Sequence, residues 1–150
     1  QSLRAAIPTI ITQLISNKNK IKLGSLSPRR DFTFISDTVD GFISAINNKK
    51  CLGQTINLGT GKDFSIGQTV KNIENILMKK AEIVTDNKRI RPKKSEVNRL
   101  ISSNKKAKNI LKWSPRYAGK KGFQKGILET VEWFKNSENL KYYKSDLYNL

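Results

Sequence analysis

The sequence predicts an α/β fold, and three observations predict it. Short apolar stretches alternate with longer segments whose apolar residues recur every three or four positions. A glycine turn, Gly59-Thr60-Gly61, stands where a strand should hand over to a helix. With 150 residues and a hydrophobic fraction of 37%, the chain has room for one modest domain with a small core.

Residues 5 to 16 place Ile7, Ile10, Ile11, Leu14 and Ile15 on one helical face, with Pro8 near the start, where its missing N–H costs little. IKLG (21 to 24) reads as a short strand, and DFTFI (31 to 35) alternates as a strand should. Residues 37 to 47 put Val39, Phe42, Ile43 and Ile46 on one helical face, with Ser36 or Asp37 as N-cap. Thr55 to Leu58 forms a strand that the glycine turn ends. Ser65 caps a helix over 66 to 79, with Ile66, Val70, Ile73, Ile76 and Leu77 on its apolar face. AEIVT (81 to 85) is a strand, and 86 to 99 a basic loop. Residues 104 to 113 form a short helix, and 122 to 136 the last clear one, with Phe123, Ile127, Val131 and Phe134 at helical spacing. The polar-aromatic tail, ENLKYYKSDLYNL, lies on a surface. Short strands alternating with helices define the class.

Composition narrows the chemistry. The chain holds 29 Lys plus Arg against 12 Asp plus Glu, a net charge of +17 that favours anionic partners. With no His and a single Cys, it has neither a histidine base nor a cysteine-cluster metal site. Cys51 is read as structural. One cysteine fits a reducing compartment, and no apolar run approaches the ~20 residues of a membrane span. The glycine turn matches neither GxGxxG nor GxxxxGK[ST], so a tight turn is favoured over a phosphate cradle. Tyr117 and Lys121 make a Y-x-x-x-K match, but Pro115, Gly119 and Gly122 argue against a helix there, and the match is read as chance. The lysines are scattered over helix ends and loops without a nucleic-acid-reading motif; a basic nucleic-acid-binding domain stays as an alternative reading.

Two arginine-bearing loops remain: Arg29-Arg30, and RIRPKKSEV at 89 to 97. A guanidinium fork offers phosphate two parallel charge-assisted hydrogen bonds. A carboxylate such as Glu96 nearby suits paired sugar hydroxyls, against the competing reading of surface ion pairing.

SPRRDFTFISDTVDGF, TINLGTGKDFSI, RIRPKKSEV, NKKAKNILKWSPRY and LETVEWFKNSENLKYYKSDLYNL follow one another here in the order found in extended short-chain dehydrogenases that act on nucleotide sugars. Over essentially its whole length the chain resembles that family. It is most similar to the NAD-dependent 4,6-dehydratase branch, in particular the type found in legionaminic-acid pathways of cell-surface polysaccharide biosynthesis. The opening QSLRAAIPTIITQLI resembles the segment that follows the family's YGPRQ turn. The resemblance implies that residues 1 to 150 are the C-terminal, nucleotide-sugar-binding part of such an enzyme. The N-terminal Rossmann part, with the NAD fingerprint and the catalytic Tyr and Lys, would then lie upstream.

Carried over by motif, Arg30 is the diphosphate arginine of R-D-[FWY] and Arg91 the phosphate ligand of the R-P motif. Glu96 is the ribose-binding carboxylate, and Arg4 a substrate-proximal cation. Arg29 receives no role, and Asp31 reads as a local partner holding Arg30's loop. The implied partner is a UDP- or GDP-linked hexose, the implied cofactor NAD, and the implied intact enzyme a cytoplasmic homodimer. Its reaction oxidises C4, eliminates water across C5 and C6, and reduces C6; a 4-epimerase is the sister reading. None of the catalytic residues falls in this chain, so the chain alone is expected to be inactive.

Overall fold

The computed structural model describes residues 5–16, 19–46, 48–90, 92, 94–141 and 143. In chain order its elements are α1 (Ala6–Ile15), β1 (Lys20–Leu23), β2 (Arg29–Arg30), α2 (Ile35–Ile46), β3 (Phe64–Ser65), α3 (Ile66–Leu77), β4 (Glu82–Thr85), β5 (Arg99–Leu100), α4 (Lys105–Leu111), α5 (Gly119–Lys135) and α6 (Ser137–Leu140). The chain divides into two compact units. One comprises Gln1–Pro28, Ser65–Asn98 and Ile127–Leu150; the other comprises Arg29–Phe64 and Arg99–Gly126.

In the first unit β1 and β4 pair in parallel, with Ile21 opposite Ile83 and Leu23 opposite Thr85. Parallel neighbours need a crossover, and α3 lies within it, packed on α1. The helix α1 is buried nearly all round, from Pro8 to Leu14. A buried polar residue ties it to the sheet. The Gln13 amide accepts from Lys22 N at 2.8 Å and donates to Lys22 O at 3.2 Å, so one side chain satisfies both backbone groups of a strand residue. Lys79 Nζ donates to Leu14 O at 3.2 Å, placing a cation on the carbonyls at the C-terminal end of α1. Ser65 caps α3 as the sequence predicts. Its hydroxyl accepts from Gln68 N at 3.0 Å, and the Gln68 side chain accepts from Ser65 N at 2.9 Å.

The second unit is built on a minimal sheet in which β2 lies between β3 and β5. The β2–β5 pairing is parallel, with Arg29 opposite Arg99 and Arg30 opposite Leu100. Its core is Ala107, Leu111 and Trp113, packed by Ala45, Cys51, Ile56, Leu58 and Ile110. Phe123 stacks on Phe64 with ring centroids 3.9 Å apart and meets Phe32 at 5.7 Å.

Several expectations need correction. The predicted strands 31–35 and 55–58 lie outside the ladders, apart from one bond from Asp31 N to Leu100 O (2.9 Å) that extends β2 by a residue. Their apolar residues meet other side chains rather than a ladder partner. Phe32 and Phe34 reach aromatic partners, and Ile56 and Leu58 reach the Trp113 cluster. The last long helix starts at Gly119, not 122. Neither Ser36 nor Asp37 is an N-cap, because α2 begins at Ile35 and contains both.

Asp37 instead reaches across to another loop. Its carboxylate is 1% exposed. It accepts from Arg116 N at 3.0 Å and Tyr117 N at 2.9 Å, while Trp113 Nε1 donates to its carbonyl at 2.9 Å. Replacing it leaves two backbone donors without a partner. Asp37→Ala is therefore expected to lower stability by about 2–4 kcal/mol, with Asp37→Asn, which keeps one acceptor, in between. Urea unfolding of the two variants checks the order; equal stability of Asp37→Ala and the parent would refute it.

Candidate functional site

The site of interest grows from the adjacent arginines of β2. Parallel pairing sets Arg29 directly opposite Arg99, two cations that would repel. Asp63 resolves this. Arg29 Nη2 donates to Asp63 Oδ1 and to the Asp63 carbonyl, each at 3.1 Å, and Arg99 Nε donates to Asp63 Oδ2. One carboxylate, 9% exposed, thus gives one oxygen to each guanidinium. The hydrogen bond from Arg29, then that from Arg99, holds the Asp63 carboxyl down at about 2. Arg29 is thereby engaged in the fold.

Arg30 is half-buried, and its Nη1 donates to Arg29 O at 2.8 Å. Its neighbour fixes the backbone that carries it. Asp31 Oδ1 accepts from Thr60 N (3.0 Å) and Thr60 Oγ1 (2.6 Å); Oδ2 accepts from Gly61 N (2.9 Å) and Ser102 N (3.2 Å). Four donors from two distant segments converge on one carboxylate, joining the end of β2, the glycine turn and the stretch after β5. The expectation that Asp31 holds its loop is met, with a wider reach than the sequence implies.

This clamp also explains the glycines. A Cβ on Gly59 would lie 2.4 Å from the Ser102 Cβ and 3.0 Å from Asp31 Oδ2. Gly61 has φ +70°, a conformation costly for other residues. The turn does cradle an anion, but the anion belongs to the protein: the N–H groups of Thr60 and Gly61 point at Asp31. The described residues therefore form no dinucleotide-phosphate cradle at the glycine turn.

The other predicted positions divide. Glu96 is half-buried and belongs to the first unit, in a turn where Ser95 N and Glu96 N both donate to Pro92 O, at 2.8 and 3.1 Å. Arg91 and Arg4 lie outside the described residues. Tyr117 and Lys121 share no helical face, because Tyr117 precedes α5. The Tyr117 ring stacks on Phe34 at 4.3 Å, and the cation over it is Lys125, 5.1 Å from the centroid. Cys51 Sγ lies 3.0 Å from Ala45 O and 2.6 Å from Asn48 O, beside the Trp113 cluster, as suits a structural residue. Among the described residues, no group of three His, Cys, Asp or Glu is placed to hold a metal ion, and no helix is long and apolar enough to cross a membrane. Sequence reasoning missed Asp63 and Arg99. They are 34 and 36 residues from the partners that give them meaning, and no local spacing announces such a pair.

Known proteins similar to the chain include sugar-nucleotide dehydratases and epimerases. The family model described as GDP-mannose 4,6 dehydratase matches residues 2–126. GDP-L-colitose synthase of Yersinia pseudotuberculosis is 28% identical over 137 residues, covering 90% of this chain and 41% of the relative. An epimerase structure from Methanothermobacter thermautotrophicus superposes with a TM-score of 0.79 at 26% identity, covering 93% of this chain and 39% of that one. The dTDP-glucose 4,6-dehydratase of Bacillus anthracis, solved in complex with NAD, gives 0.75 at 26% identity, covering 92% and 41%. The chain thus spans about two-fifths of the length of these relatives.

The Asp63 bridge has a pH signature. Its carboxyl titrates below the ordinary 3.8, so its contribution is fully present above that value and is lost as pH falls towards about 2. Between these limits the unfolded chain binds the extra proton. Asp63→Asn should therefore show a shallower fall of the urea midpoint with acid than the parent over this window. Parallel acid profiles would refute the bridge.

Proposed function

The chain belongs to the GDP-mannose 4,6 dehydratase family of extended, NAD-dependent epimerases and dehydratases, with their Rossmann-type α/β fold, and from that premise we propose that residues 1–150 are the nucleotide-sugar-binding part of a 4,6-dehydratase. The observation that carries the reading is the seat of Arg30. Its backbone is fixed from both sides, by the β2–β5 ladder and by the four-donor clamp on Asp31. A pre-positioned guanidinium meets a diphosphate with little further ordering, the condition under which a charge-assisted fork contributes most. In this reading Arg91 supplies a second phosphate contact, Glu96 accepts from the ribose hydroxyls, and Arg4 is a cation near the sugar.

NAD binding is assigned to a dinucleotide-binding part beyond these 150 residues, in keeping with a glycine turn whose N–H groups already serve Asp31. The chemistry NAD supplies when bound is reversible oxidation at the sugar. The work of this chain is to bind and orient: remote phosphate and ribose contacts hold the hexose in one pose, and that binding energy supports the reaction elsewhere. A 4-epimerase is the second reading, supported by the epimerase structure at TM-score 0.79, as the family model named for a 4,6 dehydratase supports the first.

The deciding experiment supplies the missing part, adds NAD and a UDP- or GDP-hexose, and follows the product by mass and proton NMR. Loss of one water is expected; an isomer of unchanged mass would establish the epimerase. In the same protein, Arg30→Ala should raise KM for the nucleotide sugar by about tenfold or more, with NAD affinity near the parent's. An unchanged KM would overturn the role of Arg30.

A further inference from the structure

The second unit carries a basic surface that its own fold does not account for. In α4 the buried residues are Ala107 and Leu111, which close on Trp113. Lys105, Lys108 and Lys112 are exposed, at the three-and-four spacing that puts them on one side of the helix, and Lys106 is exposed next to them. Like charges at that spacing repel one another. Lys105 and Lys106 also stand in the first turn, where the helix dipole disfavours a cation. None of the four forms an ion pair among the described residues. No acidic residue occurs from 97 to 128. These lysines work against the stability of their own helix, and they suit an anion outside the molecule.

A second element extends this surface. The 3-10 turn Lys49–Cys51 packs against α2 and α4. Asn48 Nδ2 donates to Ile110 O at 2.6 Å, which sets Lys49 and Lys50 beside the C-terminal end of α4. Both lysines are exposed, and no acidic residue occurs from 41 to 62. The turn is pinned. Cys51 Sγ donates to Asn48 O at 2.6 Å, Leu52 N to Lys49 O at 3.2 Å, and Gln54 N to Cys51 O at 3.0 Å. Yet its tip is Leu52, 76% exposed, and after it comes Gly53 with φ +68° and nothing within 4 Å of an added Cβ. A fixed turn therefore holds a large apolar side chain in solvent. The apolar stripe of α2 (Val39, Phe42, Ile43 and Ile46) is also turned outward, but that helix carries no cation, whereas Leu52 directly follows Lys49 and Lys50.

We propose that this face binds an anionic lipid surface, with the six lysines among the headgroups and Leu52 in the acyl layer beneath them. The apolar tip selects lipid over nucleic acid. A phosphate backbone offers Leu52 nothing apolar to enter, whereas a bilayer places hydrocarbon directly below its anionic layer. A single apolar anchor binds a membrane only marginally, and a polybasic patch supplies the second signal that peripheral binding needs. Such binding requires no membrane-crossing helix, and the described residues contain none.

The test is co-sedimentation of the 150-residue chain with vesicles, either phosphatidylcholine alone or phosphatidylcholine and phosphatidylserine in equal parts. Binding is expected to the mixed vesicles only, and to weaken with salt. The pair Lys49→Gln, Lys50→Gln should lower the partition coefficient by about 25-fold, roughly fivefold per lysine, and Lys105→Gln, Lys108→Gln should do the same. Leu52→Ser should lower it by about tenfold, by the same factor at low and high salt, because apolar insertion is not screened. Lys71→Gln, Lys80→Gln, which removes equal charge from the other unit, should change it by less than about twofold. All these side chains are exposed, so the urea midpoints should match the parent's. Absence of binding to the mixed vesicles would overturn the proposal, and so would an equal loss in the Lys71 and Lys80 pair, which would reduce the effect to net charge. Indifference to Leu52→Ser, with tighter binding to duplex DNA than to vesicles, would assign the face to nucleic acid instead. A lowered urea midpoint in the lysine pairs would give those side chains a role in the fold and overturn it as well.

Discussion

The carboxylate of Asp31 is the point on which the second unit depends. It draws hydrogen bonds from Thr60, Gly61 and Ser102, residues 29, 30 and 71 positions away. A carboxylate that collects four donors fixes the backbone of all three segments at once, and each donor pays its desolvation back only while the anion is there. The small residue at 59, the positive φ at 61 and the close approach of Ser102 all follow from that convergence. The position of Arg30 follows as well, since it is bonded in sequence to the clamp.

Two more aspartates repeat the device. Asp37 accepts the N–H groups of Arg116 and Tyr117, and Asp63 bridges Arg29 and Arg99. The chain has only 12 acidic residues against 29 basic ones, and three of the twelve organise this one unit from within. The division of labour has a functional consequence. Backbone N–H groups and one of the adjacent arginines are engaged with internal anions, so in the proposed reading an external phosphate is left to the fork of Arg30, carried by a framework already fixed.

Much of this was legible in advance. The helices were readable because their apolar spacing is a local property, and Ser65 with Gln68 spelled out its own capping box. The motif order containing Arg30 was readable too. The strands were readable in part: 21–24 and 81–85 fall on the paired β1 and β4, whereas the apolar residues of 31–35 and 55–58 pack on aromatic and apolar side chains, and local alternation could not say whether a second backbone lies alongside. The exchange between Gln13 and Lys22, which ties α1 to β1, gives no periodic signal at all. In the candidate site, Arg30 and its aspartate were identifiable by motif, whereas the Asp63 bridge required a pairing across more than thirty residues.

The sequence by itself determined the α/β class, the helices with their apolar faces, and an ordered set of motifs characteristic of nucleotide-sugar enzymes. These are consequences of covalent geometry, in which side-chain spacing along a helix or strand dictates what shares a face. Tertiary structure alone decided which anion each donor meets, that the glycine turn answers to Asp31, and that α2 presents its apolar stripe outward. Such choices depend on groups far apart in the chain arriving within about 3 Å of one another, and hydrogen bonding is too short-ranged for linear spacing to reveal the partner.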